Sequence, residues 1–109
     1  MTKALKSEAD RITKILVKKY RPEKIILFGS VARGEEKENS DLDFFIVKDT
    51  KKKFFDRVSE AERFIKTDRD VDLIVYTPEE FEKAVQEKRI FINQVIKYGK
   101  TLYDSSYVQ

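Results

Sequence analysis

Ile25-Ile26-Leu27-Phe28-Gly29-Ser30-Val31-Ala32-Arg33-Gly34, then Ser40-Asp41-Leu42-Asp43-Phe44-Phe45-Ile46-Val47, decide how this chain folds. Each half carries a short apolar run bounded by turn or polar residues, which reads as a buried strand. Lys24 to Phe28 is predicted as one strand and Leu42 to Lys48 as another. Gly29-Ser30 ends the first, and Val31 to Arg33 starts a short helix. Gly34 to Ser40 is a charged loop. The second strand opens with two carboxylates on alternate positions.

The rest of the chain extends this pattern outward. Leu5, Ala9, Ile12 and Leu16 recur at helical spacing, with Ile15 beside the stripe, so a helix is expected from Lys3 to Lys19, stopped by Arg21-Pro22. Asp49-Thr50 offers an N-cap for a further helix whose apolar face is Phe54, Val58, Ala61 and Ile65. Thr67-Asp68-Arg69 reads as a loop and Asp70 to Tyr76 as a third strand. Thr77-Pro78-Glu79-Glu80 carries a capping box with proline at the first helical position. Phe81, Ala84 and Val85 are the expected buried face of that helix. Gln86 to Arg89 breaks it from a last helix with the stripe Phe91, Ile92, Val95 and Ile96, closed by Gly99 as a left-handed cap. Thr101-Leu102-Tyr103 supplies a final strand or strap. The order α-β-(α)-β-α-β-α-α argues for a small α/β sheet covered by helices.

Composition narrows the chemistry. With 109 residues, a single domain over 1–109 is expected. Apolar residues make up 40% and charged residues 39%, and the apolar ones are strongly patterned, which fits a folded core beneath a charged surface. The 23 basic and 20 acidic residues leave +3, too little to imply a nucleic-acid partner. Lys51-Lys52-Lys53 reads as a solvated helix start. The chain has no Cys and no His, so disulfides, thiolate nucleophiles and histidine-based triads or zinc sites are excluded. Any catalysis rests on carboxylates, hydroxyls, Lys, Arg or a metal. Neither a signal peptide nor a long apolar run is visible, so a soluble cytoplasmic protein is expected, with no membrane partner.

Strand alternation puts Asp41 and Asp43 on one side, roughly 7 Å apart by Cα. Both can then reach one oxygen-loving divalent ion such as magnesium. Alone, the Asp-x-Asp pattern is better read as a solvated strand start with two exposed acids, but Phe45 and Val47 share that side. Acids leading into a buried face are costly unless something pairs them. Gly29-Ser30 can turn backbone N–H groups toward an anion, or be an ordinary strand-to-helix turn with Ser30 as cap. Asp72 shares its strand face with Ile74. If its strand neighbours that of Asp41, it stands beside the pair, able to ligate and to accept an acceptor's proton. Asp70 has the same parity and competes for this role. Arg33 contacts phosphate or pairs with a loop acid; Glu35, Glu36 and Glu38 read as solvated. Phe54 and Phe55 read as packing rather than a base-stacking platform.

These residues together resemble the minimal nucleotidyltransferases, small members of the DNA polymerase β-like nucleotidyltransferase superfamily. Gly29-Ser30, ten residues, and Asp41-x-Asp43 match the motif, with Ala32-Arg33-Gly34 and Ser40 as its flanks. Val71-Asp72-Leu73 resembles the strand of the third carboxylate, and Val95 to Tyr103 the C-terminal segment. The resemblance implies a nucleotidyltransferase fold of α/β (α+β) type, a small mixed β-sheet flanked by helices. It implies two Mg2+ ions on Asp41, Asp43 and Asp72, and ATP as the nucleotide. Gly29 and Ser30 would hold its terminal phosphates, with Arg33 and Ser40 beside them. The acceptor hydroxyl would attack the α-phosphate and expel pyrophosphate.

Larger relatives carry a second domain for the base or acceptor, and this chain is too short for one. The missing surface is expected from another subunit or a partner. The resemblance implies a HEPN-type toxin, neutralised as an antitoxin does, by transferring AMP to its tyrosine. Three other readings compete: a non-catalytic module that occludes the partner, a homo-oligomer acting on a small molecule, and an RNA-directed transferase. The near-neutral charge balance disfavours the last.

Overall fold

A computed structural model describes residues 1–35 and 40–107. The elements are α1 (Lys3–Lys19), β1 (Lys24–Phe28), α2 (Gly29–Ala32), β2 (Leu42–Val47), α3 (Phe54–Glu62), β3 (Val71–Tyr76), α4 (Pro78–Gln86), α5 (Ile90–Tyr98) and β4 (Lys100–Asp104), followed by a 3-10 turn at Ser105–Tyr107. Part of the expected charged loop, including Glu36 and Glu38, lies outside the described residues.

The four strands form one mixed sheet in the order β3-β2-β1-β4. β1 runs antiparallel to both β2 and β4, and β2 runs parallel to β3. Alternation along the strands sorts the apolar side chains into two cores. Ile25, Leu27, Phe44 and Ile46 pack with Leu5, Ile12 and Leu16 of α1 on one face. Ile26, Phe45 and Val47 pack with Ala84, Ile92 and Val95 of α4 and α5 on the other. The central strands are thus covered on both sides, which is why they read as continuous apolar runs. The terminal segment expected at Thr101–Tyr103 is the edge strand β4. Among the described residues, no helix is long and apolar enough to cross a membrane.

The helix ends explain most departures from expectation. α1 stops at Lys19 because Tyr20 caps it and Arg21 takes a left-handed φ of 56°, its N–H donating to Leu16 O at 3.0 Å. α3 is not capped by Asp49 or Thr50. It starts later, with Lys53 at the N-cap position, and Thr50 Oγ1 instead accepts from the Lys52 N–H at 3.1 Å to hold the preceding turn. Of its expected apolar face only Ala61 is buried; Phe54 is exposed and Ile65 lies in the turn beyond the helix. A polar residue fills the inner position instead. Arg57 is buried, donating to Lys52 O, to Val75 O and to both carboxylate oxygens of Glu80.

Thr77 and Glu80 form the expected capping box at α4. Burial raises the Glu80 pKa, but its bonds to Arg57 and Thr77 outweigh this and hold the carboxyl below its ordinary range. Val85, Phe91 and Ile96 are exposed rather than buried, so α4 and α5 each give the sheet a narrower face than their periodicity suggests. The left-handed position expected at Gly99 falls at Lys88, with φ 54°, where α4 ends.

Gly99 itself is extended, with φ −72°. It is glycine for want of space: a β-carbon there would collide with Val95 O and lie 2.6 Å from Ile26 Cγ2. Gly99→Ala is therefore expected to destabilise by about 1–3 kcal/mol through overpacking. Gly99→Asn should be no better tolerated, although Asn suits a left-handed cap. Urea unfolding of both variants checks this; an Asn variant as stable as the parent would contradict it.

Candidate active site

Because β1 runs antiparallel to β2, the end of β1 and the start of β2 meet at one end of the sheet. Parallel pairing brings the start of β3 there too. Phe28, Asp43 and Asp72 consequently occupy a single rung across three strands, Phe28 paired with Asp43 and Asp43 with Asp72. The next rung on the same face is Ile26, Phe45 and Ile74. The acids therefore cap a column of apolar residues. Phe45, fully buried beneath them, is walled by Tyr76, Phe81 and Phe91 at ring-centroid distances of 5.0, 5.6 and 6.2 Å.

Asp43 is half-buried and hydrogen-bonded to Asp72. Burial raises its carboxyl from an ordinary 3.8 to about 6, helped by the bond to Asp72 and by the charges of Asp72 and Asp41, against a lowering from Arg33. Asp41 is exposed, one residue before β2, and Asp72 is exposed on the edge strand. Asp70 lies ahead of β3 and gives its backbone carbonyl to the Leu42 N–H at 3.0 Å. The strand register thus sets Asp72, rather than Asp70, beside Asp43.

Gly29 opens α2 with φ 79°, where only glycine is unstrained. A β-carbon there would collide with Asp43 Oδ2, so the turn presses backbone directly against the carboxylate. Ser30 follows half-buried in α2, and Ser40 stands half-buried just ahead of Asp41. Arg33 is exposed and pairs with Glu35, Nε to Oε2, at 3.2 Å.

Among the described residues no three acids are already gathered as a metal-binding cluster. What the rung offers is two facing carboxylates, with a third, Asp41, two residues before Asp43 and just ahead of β2. Magnesium suits this donor set, since it is commonly held by one or two carboxylates together with substrate phosphates. Burial and the neighbouring acids that lift Asp43 disfavour its charged form, a cost that such a cation would relieve.

The matching family model, "Polymerase beta, Nucleotidyltransferase", spans residues 10–107. The chain belongs to this nucleotidyltransferase family. A relative from Methanocaldococcus jannaschii, named "Putative protein adenylyltransferase", is 38% identical over 92 residues, covering 81% of this chain and 87% of the relative. A crystal structure described as "a putative nucleotidyltransferase from Sulfolobus solfataricus" superimposes with a TM-score of 0.67 at 25% identity, covering 93% of this chain and 81% of that one. A chain from a structure described as "the toxin-antitoxin with AMP-PNP" superimposes with a TM-score of 0.57 at 24% identity, over 87% and 73%. This last likeness carries the fold. The expected mixed sheet flanked by helices is the architecture of these nucleotidyltransferases.

Two features of this nucleotidyltransferase were not singled out from the sequence. One is Phe28, whose parity with Ile26 puts it on the rung of the acids. It separates two cavities. The first, about 460 Å³, is bordered by Asp43, Asp72, Val58, Glu62 and Ile74. The second, about 230 Å³, lies between α2 and α5, against Gly29 and Arg33. The other missed feature is the outer face of α5, where Gln94 and Tyr98 border the second cavity. Their spacing of four carried a signal, but both lie outside the apolar stripe that defined the helix.

Between about pH 4 and 6 the folded chain keeps a proton at Asp43 that the unfolded chain has released, so stability falls as pH rises through that window. Asp43→Asn removes this loss. In metal-free buffer it is expected to raise the thermal midpoint near neutral pH, with the gain shrinking toward zero as pH drops below about 4. Thermal scans across pH test this; a variant no more stable than the parent at neutral pH would contradict it.

Proposed function

We propose that this nucleotidyltransferase transfers AMP from ATP to a hydroxyl of a partner protein, a tyrosine of a HEPN-type toxin that it thereby neutralises. The observation that carries the reading is the rung itself: Asp43 beside Asp72, with the Gly29 turn pressed against Asp43. Gly29 and Ser30 receive the terminal phosphates, the backbone of Gly29 approaching where a side chain could not. Arg33, at the mouth of the turn, and Ser40, next to Asp41, are assigned to the same phosphates.

Asp41, Asp43 and Asp72 would hold magnesium, two ions by family resemblance. Once bound, the metal supplies charge neutralisation for the attacking and leaving oxygens. Asp72 has a second task. It stands on the edge strand, open to the 460 Å³ cavity, where an incoming hydroxyl can present its proton. The acceptor oxygen bonds to the α-phosphorus, the bond to the bridging oxygen breaks, pyrophosphate leaves, and the hydroxyl proton passes to the carboxylate.

The choice of a protein acceptor is supported by the 38%-identical relative, whose name is that of a protein adenylyltransferase. The HEPN partner rests on the sequence resemblance. A chain of the same fold stands in a toxin-antitoxin assembly solved with AMP-PNP. The exposed apolar residues Phe55 and Ile90, 82% and 78% accessible, also suit the second reading, a module that neutralises its partner by covering it.

Label transfer separates the two. The protein, magnesium and ATP labelled at the α-phosphate are added to lysate of the source organism. A labelled protein band is expected, with γ-labelled ATP giving none. Asp43→Asn should reduce the labelling about 100- to 1,000-fold, the magnitude typical of deleting one electrostatic group at a reacting centre. Labelling that persists in Asp41→Asn/Asp43→Asn would overturn the catalytic assignment. Absence of a labelled band, with a stable partner recovered by pull-down from both forms, would favour occlusion.

A further inference from the structure

We propose that the cavity between α2 and α5 receives the nucleobase, with Tyr98 and Phe91 as its aromatic walls and Gln94 as the residue that reads the base edge. This rests on the reading that the Gly29-Ser30 turn holds the triphosphate. A nucleotide's base is joined through one ribose to the α-phosphate, so the base site must lie within one nucleotide's reach of the turn that holds the terminal phosphates. Gly29 presses on Asp43 on one side and borders this cavity on the other.

Charge distinguishes it from the cavity across Phe28. That cavity carries Asp43, Glu62 and Asp72, which suit a hydroxyl whose proton must leave. The cavity at α5 has no acid among its bordering residues, and its charged group is Arg33. A neutral ring bearing electron-rich nitrogens belongs with the second set. Among the other cavities, those by Lys24 and Asp104 and by Phe54 and Lys83 do not touch the turn.

The lining has the right chemistry. Phe28 and Phe91 meet edge to face at 5.5 Å, which fixes Phe91 while leaving part of it accessible. Tyr98, one helical turn beyond Gln94, is 47% accessible on the same helix. Aromatic faces of this kind stack any base. Selectivity then falls to Gln94, whose amide is not engaged in a hydrogen bond among the described residues. Its carbonyl and NH2 stand side by side, matching an edge that presents one donor and one acceptor, as N6–H2 and N7 of adenine do. Guanine presents two acceptors at the corresponding edge, leaving the amide carbonyl unmatched.

Calorimetric titration in magnesium buffer with ATP, GTP and inorganic tripolyphosphate tests the assignment. The parent should prefer ATP to GTP. Tyr98→Ala should weaken ATP about ten-fold while leaving tripolyphosphate unchanged. Gln94→Leu should bring ATP and GTP to similar affinity. Both residues lie outside the buried cores, and circular dichroism verifies folding of the variants. Gly29→Ala, by contrast, should weaken ATP and tripolyphosphate together. Unchanged ATP affinity in both Tyr98→Ala and Gln94→Leu, with Gly29→Ala still weakening both ligands, would overturn the base site and leave the phosphate reading intact. A parent chain that binds neither ATP nor tripolyphosphate would overturn both.

Discussion

Two like charges held on one rung are the constraint around which this fold is organised. Asp43 and Asp72 face each other because β2 and β3 run parallel and in register. Parallel pairing cannot be closed by a tight turn and needs a crossover. α3 supplies that crossover and helps cover the face opposite the acids. On their own face the acids rest on Phe45, which is locked among aromatic neighbours. Separating the carboxylates would mean moving packed strands, so the cost of burial, with the neighbouring acids adding to it, is carried as a raised Asp43 pKa instead.

The register also explains how the Gly29-Ser30 turn and the acids come together despite the ten residues between Ser30 and Asp41. An antiparallel β1–β2 pair returns the chain to the end it left. Gly29 closes the remaining distance by lacking a side chain. Residues at the far ends of the same strands do structural work. Lys48 donates to Tyr20 O at 2.5 Å, and Arg57 reaches the Val75 carbonyl on the outer strand at 3.2 Å.

Much of this was legible in the sequence, for identifiable reasons. The central strands were visible because their residues are buried on both faces, and the Thr77–Glu80 box because capping is local. The alternation of Asp41 and Asp43 fixed their common side, but it could not say that Asp72 rather than Asp70 would stand opposite, since both share one parity. Only the pairing Asp43 with Asp72 decides that. Periodicity erred where it was asked about breadth. It marked Val85, Phe91 and Ile96 as buried, yet a helix on a narrow sheet buries a stripe and leaves its flanks in solvent. Gly99 was misassigned for a related reason. A glycine after a helix suggests a left-handed cap, and its crowding against Ile26 is a tertiary fact with no local trace.

The aromatic residues left uncovered by that narrowness suit the function proposed for the site. Phe91 touches the Phe28 ring on the acid rung and the Phe45 ring beneath it, while one flank remains accessible. A fully buried α5 would need a wider sheet or another layer, and either would close the space beside Gly29. The same economy applies to charge. Arg33 lowers the cost of the Asp43 carboxylate but is itself paired with Glu35, so it does not neutralise the rung. The fold therefore exposes stacking surface and unbalanced negative charge at one end of the sheet. A metal-bound nucleotide of the kind proposed, bringing cations to the acids and a flat ring to the aromatics, would satisfy both at once.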